Sequence, residues 1–324
     1  MRRRPGILVL SRVALAIGIF ALFSLMDPRY ATEGNAYAMT EGFVNVGLAA
    51  LAVAITIICG EFDLSIPSVA LVAGVIAVLL SVHGLVVALV VATLAATAFG
   101  LVQGSLIAWL RINSIIFTVG TFIALQGVAY ILAESRTVAI SDFTIATTLS
   151  QRIVIFSPAS VLALTAFIAV GLLLAYTRYG REIYAVGGGR NEAVAAGVPL
   201  WRPIVVAFTL SGLLAGLTGA IVSLKIGSAS PAIGFGDLLL PSVTAALVGG
   251  VSLLGGRGSA IGVFVGVLTI RFISSGLSLQ GLPFYVESLA VGTVLTAVIV
   301  FDLATQSERL RARWATWRAA SAPG

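Results

Sequence analysis

The sequence predicts an all-α polytopic membrane protein with about ten transmembrane helices, some of them broken, built as an inverted internal repeat. Composition, the spacing of apolar runs and one internal similarity support this fold class. Of the 324 residues, 59% are hydrophobic and only 10% are charged, whereas soluble domains carry about 25% charged residues. Most of the chain must therefore lie in lipid, and little is left for a soluble domain.

Apolar runs bounded by glycine, proline or charged residues mark the candidate spans. A helix needs about 20 apolar residues to cross the hydrocarbon core of a membrane. The runs cover residues 7–26, 43–59, 69–82, 85–110, 114–133, 158–176, 204–224, 241–254, 259–275 and 285–301. The two runs that follow Gly60 and Leu240 are short and come after proline-containing stretches. This pattern predicts broken helices that do not each cross the membrane independently.

Two short segments of the chain resemble each other. Residues 63–69 read Asp-Leu-Ser-Ile-Pro-Ser-Val, residues 237–243 read Asp-Leu-Leu-Leu-Pro-Ser-Val, and an apolar run rich in small residues follows each. In the predicted topology the two copies face opposite sides of the membrane. Inverted repeats of this kind form the central pathway of many transporters. A chance similarity in a chain of biased composition is the alternative.

The basic residues predict the orientation. The net charge is +6, but these residues are scattered among apolar runs, which argues against nucleic-acid binding. Of the 19 Lys and Arg residues, 14 fall on the side of the N-terminus and four on the other side. Because cytoplasmic loops are enriched in Lys and Arg, both termini and the loop of residues 178–203 are predicted to be cytoplasmic. The basic tail, residues 303–324, either lies on anionic membrane lipid or extends freely.

Polar residues at membrane depth mark the first candidate site. Residues 60–68 read Gly-Glu-Phe-Asp-Leu-Ser-Ile-Pro-Ser, with two carboxylates between apolar runs. Ser65 is expected to cap the following helix and Pro67 to occupy an early helical position. A helix break here would expose polar groups to a solute, although an ordinary turn with Asp63 as a structural cap is the alternative. The predicted substrate-pathway residues are Asp63, Ser65, Asn113, Phe117, Thr118, Thr121 and Gln126.

Two glycine-rich segments are the other candidates. Residues 191–197, Asn-Glu-Ala-Val-Ala-Ala-Gly, predict a short helix with Asn191 near its N-cap and Gly197 at its end. Its small alanines would fit a groove of another protein, and a solvated connector is the alternative. The late segment predicts tight turns or close helix packing. Its motif residues are Gly249, Gly250, Gly255, Gly256, Arg257 and Gly258.

These three segments, in this order, resemble the permease subunits of bacterial ABC sugar importers of the ribose, xylose and galactose class. The family's early signature, Gly-Gly-Ile-Asp-Leu-Ser-Val-Gly-Ser, is similar to residues 60–68, and its signature Tyr-Ala-Ile-Gly-Gly-Asn-x-Glu-Ala-Ala-x-x-Ser-Gly to residues 184–197. Its late signature, Gly-Gly-x-Ser-x-x-Gly-Gly-Arg-Gly-Ser, matches residues 249–259. The chain departs from the family at Glu61, at Ile66-Pro67 and at Leu238–Leu240.

The resemblance implies one permease domain over residues 1–324 of a multi-pass protein of the bacterial inner membrane. It implies three partners, namely an ABC ATPase subunit that uses ATP and Mg²⁺, a periplasmic solute-binding protein, and a second permease copy or a paralogue. The binding protein would contact loops such as residues 137–157 and 227–237. The residues expected to couple to the ATPase are Gly187, Gly188, Asn191, Glu192, Ala193, Ala196 and Gly197.

The sequence does not predict an enzyme. It contains no Gly-x-x-x-x-Gly-Lys-Ser/Thr run, so ATP hydrolysis is assigned to a partner and no cofactor to this chain. One histidine and 13 scattered acidic residues do not suggest a metal site or a catalytic centre. An ion-coupled secondary transporter is the alternative function. Its proton relay would have to use Glu61, Asp63, Arg271 and Glu287.

Overall fold

The computed structural model describes residues 5–233 and 235–300, with side chains from Leu10 onward. The basic tail predicted for residues 303–324 lies outside the described residues. The helices are α1 (Pro5–Met26), α2 (Glu33–Ile58), α3 (Ile66–Leu80), α4 (Leu85–Leu110), α5 (Ser114–Leu132), α6 (Thr144–Ser150), α7 (Pro158–Tyr176), α8 (Arg178–Gly188), α9 (Arg190–Ala195), α10 (Trp201–Ile226), α11 (Leu239–Val248), α12 (Ala260–Leu279) and α13 (Phe284–Val300). Two short strands, β1 (Val138–Ala139) and β2 (Ser228–Ala229), pair in antiparallel fashion.

Seven of the described helices are long and apolar enough to cross a membrane. These are α2, α3 with its 3₁₀ extension to His83, α4, α5, α7, α10 and α12. Three shorter apolar helices cover Leu10–Met26, Gly236–Val248 and Phe284–Val300. The prediction of an all-α polytopic membrane protein is thus confirmed.

Several helix boundaries differ from the apolar runs for local reasons. α2 begins ten residues before its apolar run, because Thr32 caps it by accepting a hydrogen bond from the backbone N–H of Asn35. α11 ends at Val248, although its apolar run continues to Leu254, because the backbone turns at Gly250, where φ is 86°. α7 begins where predicted, since Ser157 forms a capping box with Ser160.

The core of the bundle is formed by α2 and α10, whose most apolar windows are 89% and 72% buried. α10 packs against α3 and α4, and α2 packs against α11 and α12. The contact of α10 with α4 is close because glycines face each other there. A Cβ added at Gly212 would overlap the carbonyl of Ala96, and one added at Gly100 would overlap the carbonyl of Phe208. Small residues let two backbones approach in this way.

The bundle has two ends with different structures. Near one end Glu41 of α2 forms an ion pair with Lys225 of α10, beside the paired strands, and we call this the strand end. At the other end, Ile58 of α2 contacts Gly187 and Gly256, and we call this the motif end. Basic residues that were predicted to face opposite sides of the membrane lie at opposite ends. Lys225 and Arg152, which pairs with Glu33, lie at the strand end. At the motif end, Arg190 pairs with Glu61, and Arg178 and Arg202 pair with Glu182.

Candidate functional site

The three motif segments meet at the motif end. The backbone N–H of Gly256, from the late segment, donates a 2.9 Å hydrogen bond to the carbonyl of Ile58, at the end of α2. Gly187 of α8 fits between these two groups, since a Cβ there would overlap both the Ile58 carbonyl and the Gly256 nitrogen. The segments therefore meet through backbone atoms, and glycine is required at the point where they meet.

Side chains add further links to this junction. The Tyr184 hydroxyl donates a 3.1 Å hydrogen bond to the carbonyl of Gly258. Burial raises the pKa of Tyr184, so its hydroxyl stays protonated and can donate. Arg190 forms an ion pair with Glu61, whose side chain is only 7% exposed. The first residue of α9 is thus bound to the break between α2 and α3.

The predicted coupling residues lie on and around α9. Gly187 and Gly188 end α8, and Gly189, not Asn191, occupies the N-cap of α9. Gly197 follows the helix with φ of 79°, as expected for a C-terminal stop. Ala193 is buried, whereas the exposed members of the set form an accessible surface. These exposed residues are Gly188, Asn191, Glu192, Ala196 and Gly197.

The late segment forms both predicted features, a close contact and a tight turn. Gly249 packs against α12, where a Cβ would overlap the carbonyl of Gly262. The turn itself has Gly255 and Gly256 in the left-handed region, with φ of 79° and 66°. It is closed by a 3.0 Å hydrogen bond from the backbone N–H of Ser252 to the carbonyl of Arg257.

A polar network surrounds Asp63 in the break between α2 and α3. Asp63 is 6% exposed, and its Oδ1 accepts hydrogen bonds from the backbone N–H of Ser65 at 3.0 Å and from Gln103 at 3.3 Å. Its Oδ2 accepts from the Ser211 hydroxyl at 2.7 Å. Thr121 donates to Gln103 at 2.8 Å, which extends the network to α5. The break is therefore bonded to α4, α5 and α10.

One prediction about this segment is wrong. Ser65 occupies the N-cap of α3, but its side chain makes no capping hydrogen bond. Its hydroxyl donates to Asp63 Oδ1 at 2.5 Å, and its oxygen accepts from Gln103 Nε2 at 3.0 Å instead of from a backbone N–H of the helix. Pro67 does occupy an early helical position, as predicted.

The other pathway residues are divided between this network and α5. Thr118 accepts a 3.1 Å hydrogen bond from the backbone N–H of Leu64, so it supports the break directly. Asn113 caps α5 by accepting from the backbone N–H of Ile115 at 2.9 Å. Phe117 packs, partly buried, against the core, and Gln126 is half-buried farther along α5. Sequence reasoning missed Ser211, since nothing in α10 distinguishes this serine from others.

A separate cavity of about 400 Å³ lies at the strand end. It is lined by residues of α2, α3, α10, α11, α12 and α13 and of the connection between α10 and α11. The seven predicted pathway residues are not part of its lining. Its polar lining includes Asn45, Thr218, Ser223, Asp237, Arg271 and Glu287. Arg271 and Glu287 were recognisable in the sequence as ionisable residues in apolar runs, which is the signal that could have indicated the cavity.

Comparison with known proteins identifies the family. Residues 36–301 match the family described as the permease component of branched-chain amino acid transport systems. The chain belongs to this permease family. The match covers both the break around Asp63 and the motif end, so the junction of the three segments lies entirely within the permease region.

Individual relatives are similar over most of their length. The permease is 31% identical to the L-arabinose ABC transporter permease protein AraH of Azospirillum brasilense over 307 residues, which is 92% of this chain and 88% of the relative. It is 28% identical to the ribose import permease protein RbsC of Escherichia coli K12 over 302 residues, 90% and 92% of the two chains. It is 27% identical to the D-allose transport system permease protein AlsC of the same organism over 295 residues, 88% of each. These matches confirm the resemblance that the motifs predicted.

Proposed function

We propose that the chain is the transmembrane permease subunit of an ABC importer of the bacterial inner membrane and forms the pathway for a sugar or sugar-like solute. The observation that carries this proposal is the junction of the three motif segments beside the exposed surface of α9. The similarity to permeases named for L-arabinose, ribose and D-allose supports a monosaccharide, a polyol or a related molecule as the solute.

The motif end is the proposed docking site for the ATPase subunit and faces the cytoplasm. α9 is short, exposed on its outer side and bound to the break through the pair of Arg190 and Glu61. A movement of α9 would thus reach the break at the start of α3 without an intervening flexible segment. ATP and Mg²⁺ are used by the partner, and this chain binds no cofactor.

The strand end is the proposed docking site for the periplasmic binding protein. Pairing of β1 with β2 joins the two loops that the resemblance assigns to this contact. A second hydrogen bond, from the backbone N–H of Ile140 to the carbonyl of Gly227, strengthens the connection. The two loops would therefore present one surface to the binding protein.

The packing of the core supports the inverted repeat and about ten membrane-embedded helices. In an inverted repeat, α2–α5 would correspond to α10–α13. The packing of α10 against α3 and α4 would then correspond to packing of α2 against α11 and α12, and both are present. α3 begins within the first of the two similar segments, and α11 begins within the second. A second permease copy or a paralogue would complete the pathway, as the resemblance implies.

The Asp63 network is proposed to hold the break beside the pathway. Asp63, Ser65 and Thr121 are bonded to one another or to Gln103 in this conformation, and Thr118 is bonded to the backbone N–H of Leu64. Contact of these side chains, or of Asn113, Phe117 and Gln126, with the solute stays a prediction.

Charge reversal at Glu192 tests the proposed ATPase contact. In the importer reconstituted with its ATPase and binding protein, Glu192→Lys is expected to lower solute-stimulated ATP hydrolysis at least about tenfold, because an exposed contact residue changes sign. Membrane insertion should not change. The matched control is Glu134→Lys, which reverses another exposed glutamate near the strand end. Full stimulation of ATP hydrolysis in Glu192→Lys would refute the docking site. Solute uptake that needs no ATPase but stops when an uncoupler is added would establish the ion-coupled alternative.

Substitution of Arg190 and substitution of Glu61, which form an ion pair, should change the free energy of unfolding by unequal amounts. Arg190→Gln leaves the buried Glu61 carboxylate without its partner and is expected to lower the free energy of unfolding by about 1–3 kcal/mol. Glu61→Gln removes the buried charge itself and should cost less. The double variant should therefore be more stable than Arg190→Gln alone. Thermal unfolding in detergent measures all three, and additive losses would contradict the pairing.

A further inference from the structure

The cavity at the strand end has the size and position of a solute site. Its volume of about 400 Å³ lies within the range of about 300–1,000 Å³ that small-molecule sites occupy. Ser228 and Ser230, in the connection between α10 and α11, are part of its lining. This connection belongs to the surface that is proposed to receive the binding protein. A solute released at that surface would meet this cavity first.

Arg271 of α12 lies in this cavity with an unused donor. Its Nε is buried and has no hydrogen-bond partner among the residues that the structure describes. The guanidinium lies against Gly42 of α2, where any side chain would overlap it. An incompletely bonded guanidinium inside a membrane bundle is costly, and ionisable residues are kept there mainly for function. The absence of a side chain at residue 42 makes the room that this group needs.

A second unused polar group lies one turn away on the same helix. Ser274 is 4% exposed, and its Oγ has no hydrogen-bond partner within the described part of the chain. Residues three apart on a helix lie on the same face, and both Arg271 and Ser274 line the cavity. Asp237 and Glu287 line it as well and supply carboxylate acceptors. The cavity is thus lined by a guanidinium and by two carboxylates.

We infer that this cavity binds the transported solute, and that the solute is a neutral molecule of monosaccharide size with several hydroxyl groups. A hydroxyl both donates and accepts, so it can pair with the Arg271 guanidinium and with the carboxylates of Asp237 and Glu287 together. One arginine and two acidic residues give the lining an excess of negative charge, which disfavours a sugar acid. The inference rests on the proposed function, since it identifies where the solute of that importer binds.

Cysteine protection in the full-length permease tests this site directly. Cys59, the single cysteine of the chain, is buried and is first replaced by serine. A cysteine introduced at Ser228, on the cavity lining, is then labelled with a thiol reagent in the presence of L-arabinose, D-ribose, D-allose or D-glucuronate. We expect at least one neutral sugar to slow labelling severalfold and D-glucuronate to have no effect. The matched control, Ser141→Cys, lies exposed near the same strand pair and outside the cavity lining, so its labelling should not change.

Variants of the cavity then assign the contact. Arg271→Gln is expected to raise the sugar concentration that gives half-maximal protection by about ten- to one-hundredfold, as for loss of a hydrogen bond from a charged group. Ser274→Ala should change this concentration little, because the Ser274 hydroxyl is buried. Gly42→Ala should act like Arg271→Gln, because the added methyl displaces the flexible guanidinium without disturbing the backbone.

Uptake by the reconstituted importer separates failure of this inference from failure of the proposed function. If the wild-type importer takes up a neutral sugar that gives no protection at residue 228, the cavity is not its binding site. Unchanged protection in both Arg271→Gln and Gly42→Ala would also overturn the site, and protection by D-glucuronate alone would overturn the solute class. If the wild-type importer takes up no sugar, the proposed function fails and the inference fails with it.

Discussion

Gly187→Ala is expected to destabilise the permease strongly, whereas Gly188→Ala, one residue later in the same helix, is expected to stabilise it slightly. A Cβ at Gly187 would overlap the Ile58 carbonyl, which is backbone and cannot rotate away, while a Cβ at Gly188 meets nothing within 4 Å. Overpacking in a well-packed interior costs about 1–3 kcal/mol and sometimes more. Alanine in place of an unhindered helical glycine gains about 0.5–1 kcal/mol.

Thermal unfolding of the two purified variants in detergent measures this difference. Both substitutions change the same residue type by one methyl group near the end of α8, so helix propensity cannot explain effects of opposite sign. The Gly187→Ala importer should also lose solute-stimulated ATP hydrolysis, because the junction of the three segments is displaced. Equal stability of the two variants would contradict the packing of Gly187 between α2 and the late turn.

Asp63→Ala is expected to have the second large effect, a marked loss of stability. The substitution leaves the backbone N–H of Ser65 and the hydroxyl of Ser211 without their acceptor in a buried site, whereas Gln103 keeps its hydrogen bond to Ser65. Hydrogen bonds to charged groups contribute about 1.5–3 kcal/mol each, and the break would lose its link to α10. Asp63→Asn should be milder, because the amide retains an oxygen acceptor and the Ser211 hydroxyl can itself accept.

Unfolding midpoints and sugar uptake, measured on the same preparations, distinguish the two roles of Asp63. Loss of stability with Asp63→Ala, together with partial recovery in Asp63→Asn, would support the role in holding the break. Normal stability with loss of uptake in both variants would show instead that the carboxylate contacts the solute, as the prediction from the sequence allows.

The sequence was informative where local chemistry determines the structure. The bounds of α4 were predicted correctly because glycine precedes the helix at residue 84 and Arg111 adopts a left-handed conformation after it. The apolar run of residues 241–254, by contrast, did not reveal where α11 ends. Hydropathy alone cannot distinguish a helical leucine from one that lies in a loop packed against other helices.

The candidate site was predictable as three segments but not as one structure. Each segment was found from its own glycines and polar residues, and nothing in the spacing showed that Ile58, Gly187 and Gly256 meet. Ser65 was misassigned because its oxygen accepts from Gln103 of α4, a contact that depends on how α4 packs against the break. Arg271 was noted, but its position against Gly42 depends on how α2 and α12 pack, which a single sequence does not specify.

The length of α10 has a mechanical consequence. Its 26 residues make a rod about 39 Å long. Arg202 binds α8 near one end, Ser211 binds the break, and Lys225 binds α2 near the other end, two residues before the turn into β2. A displacement of the loops at the strand end could therefore be transmitted to the motif end along one continuous helix. If the binding protein and the ATPase dock at the two ends as proposed, both contacts act on the same helix.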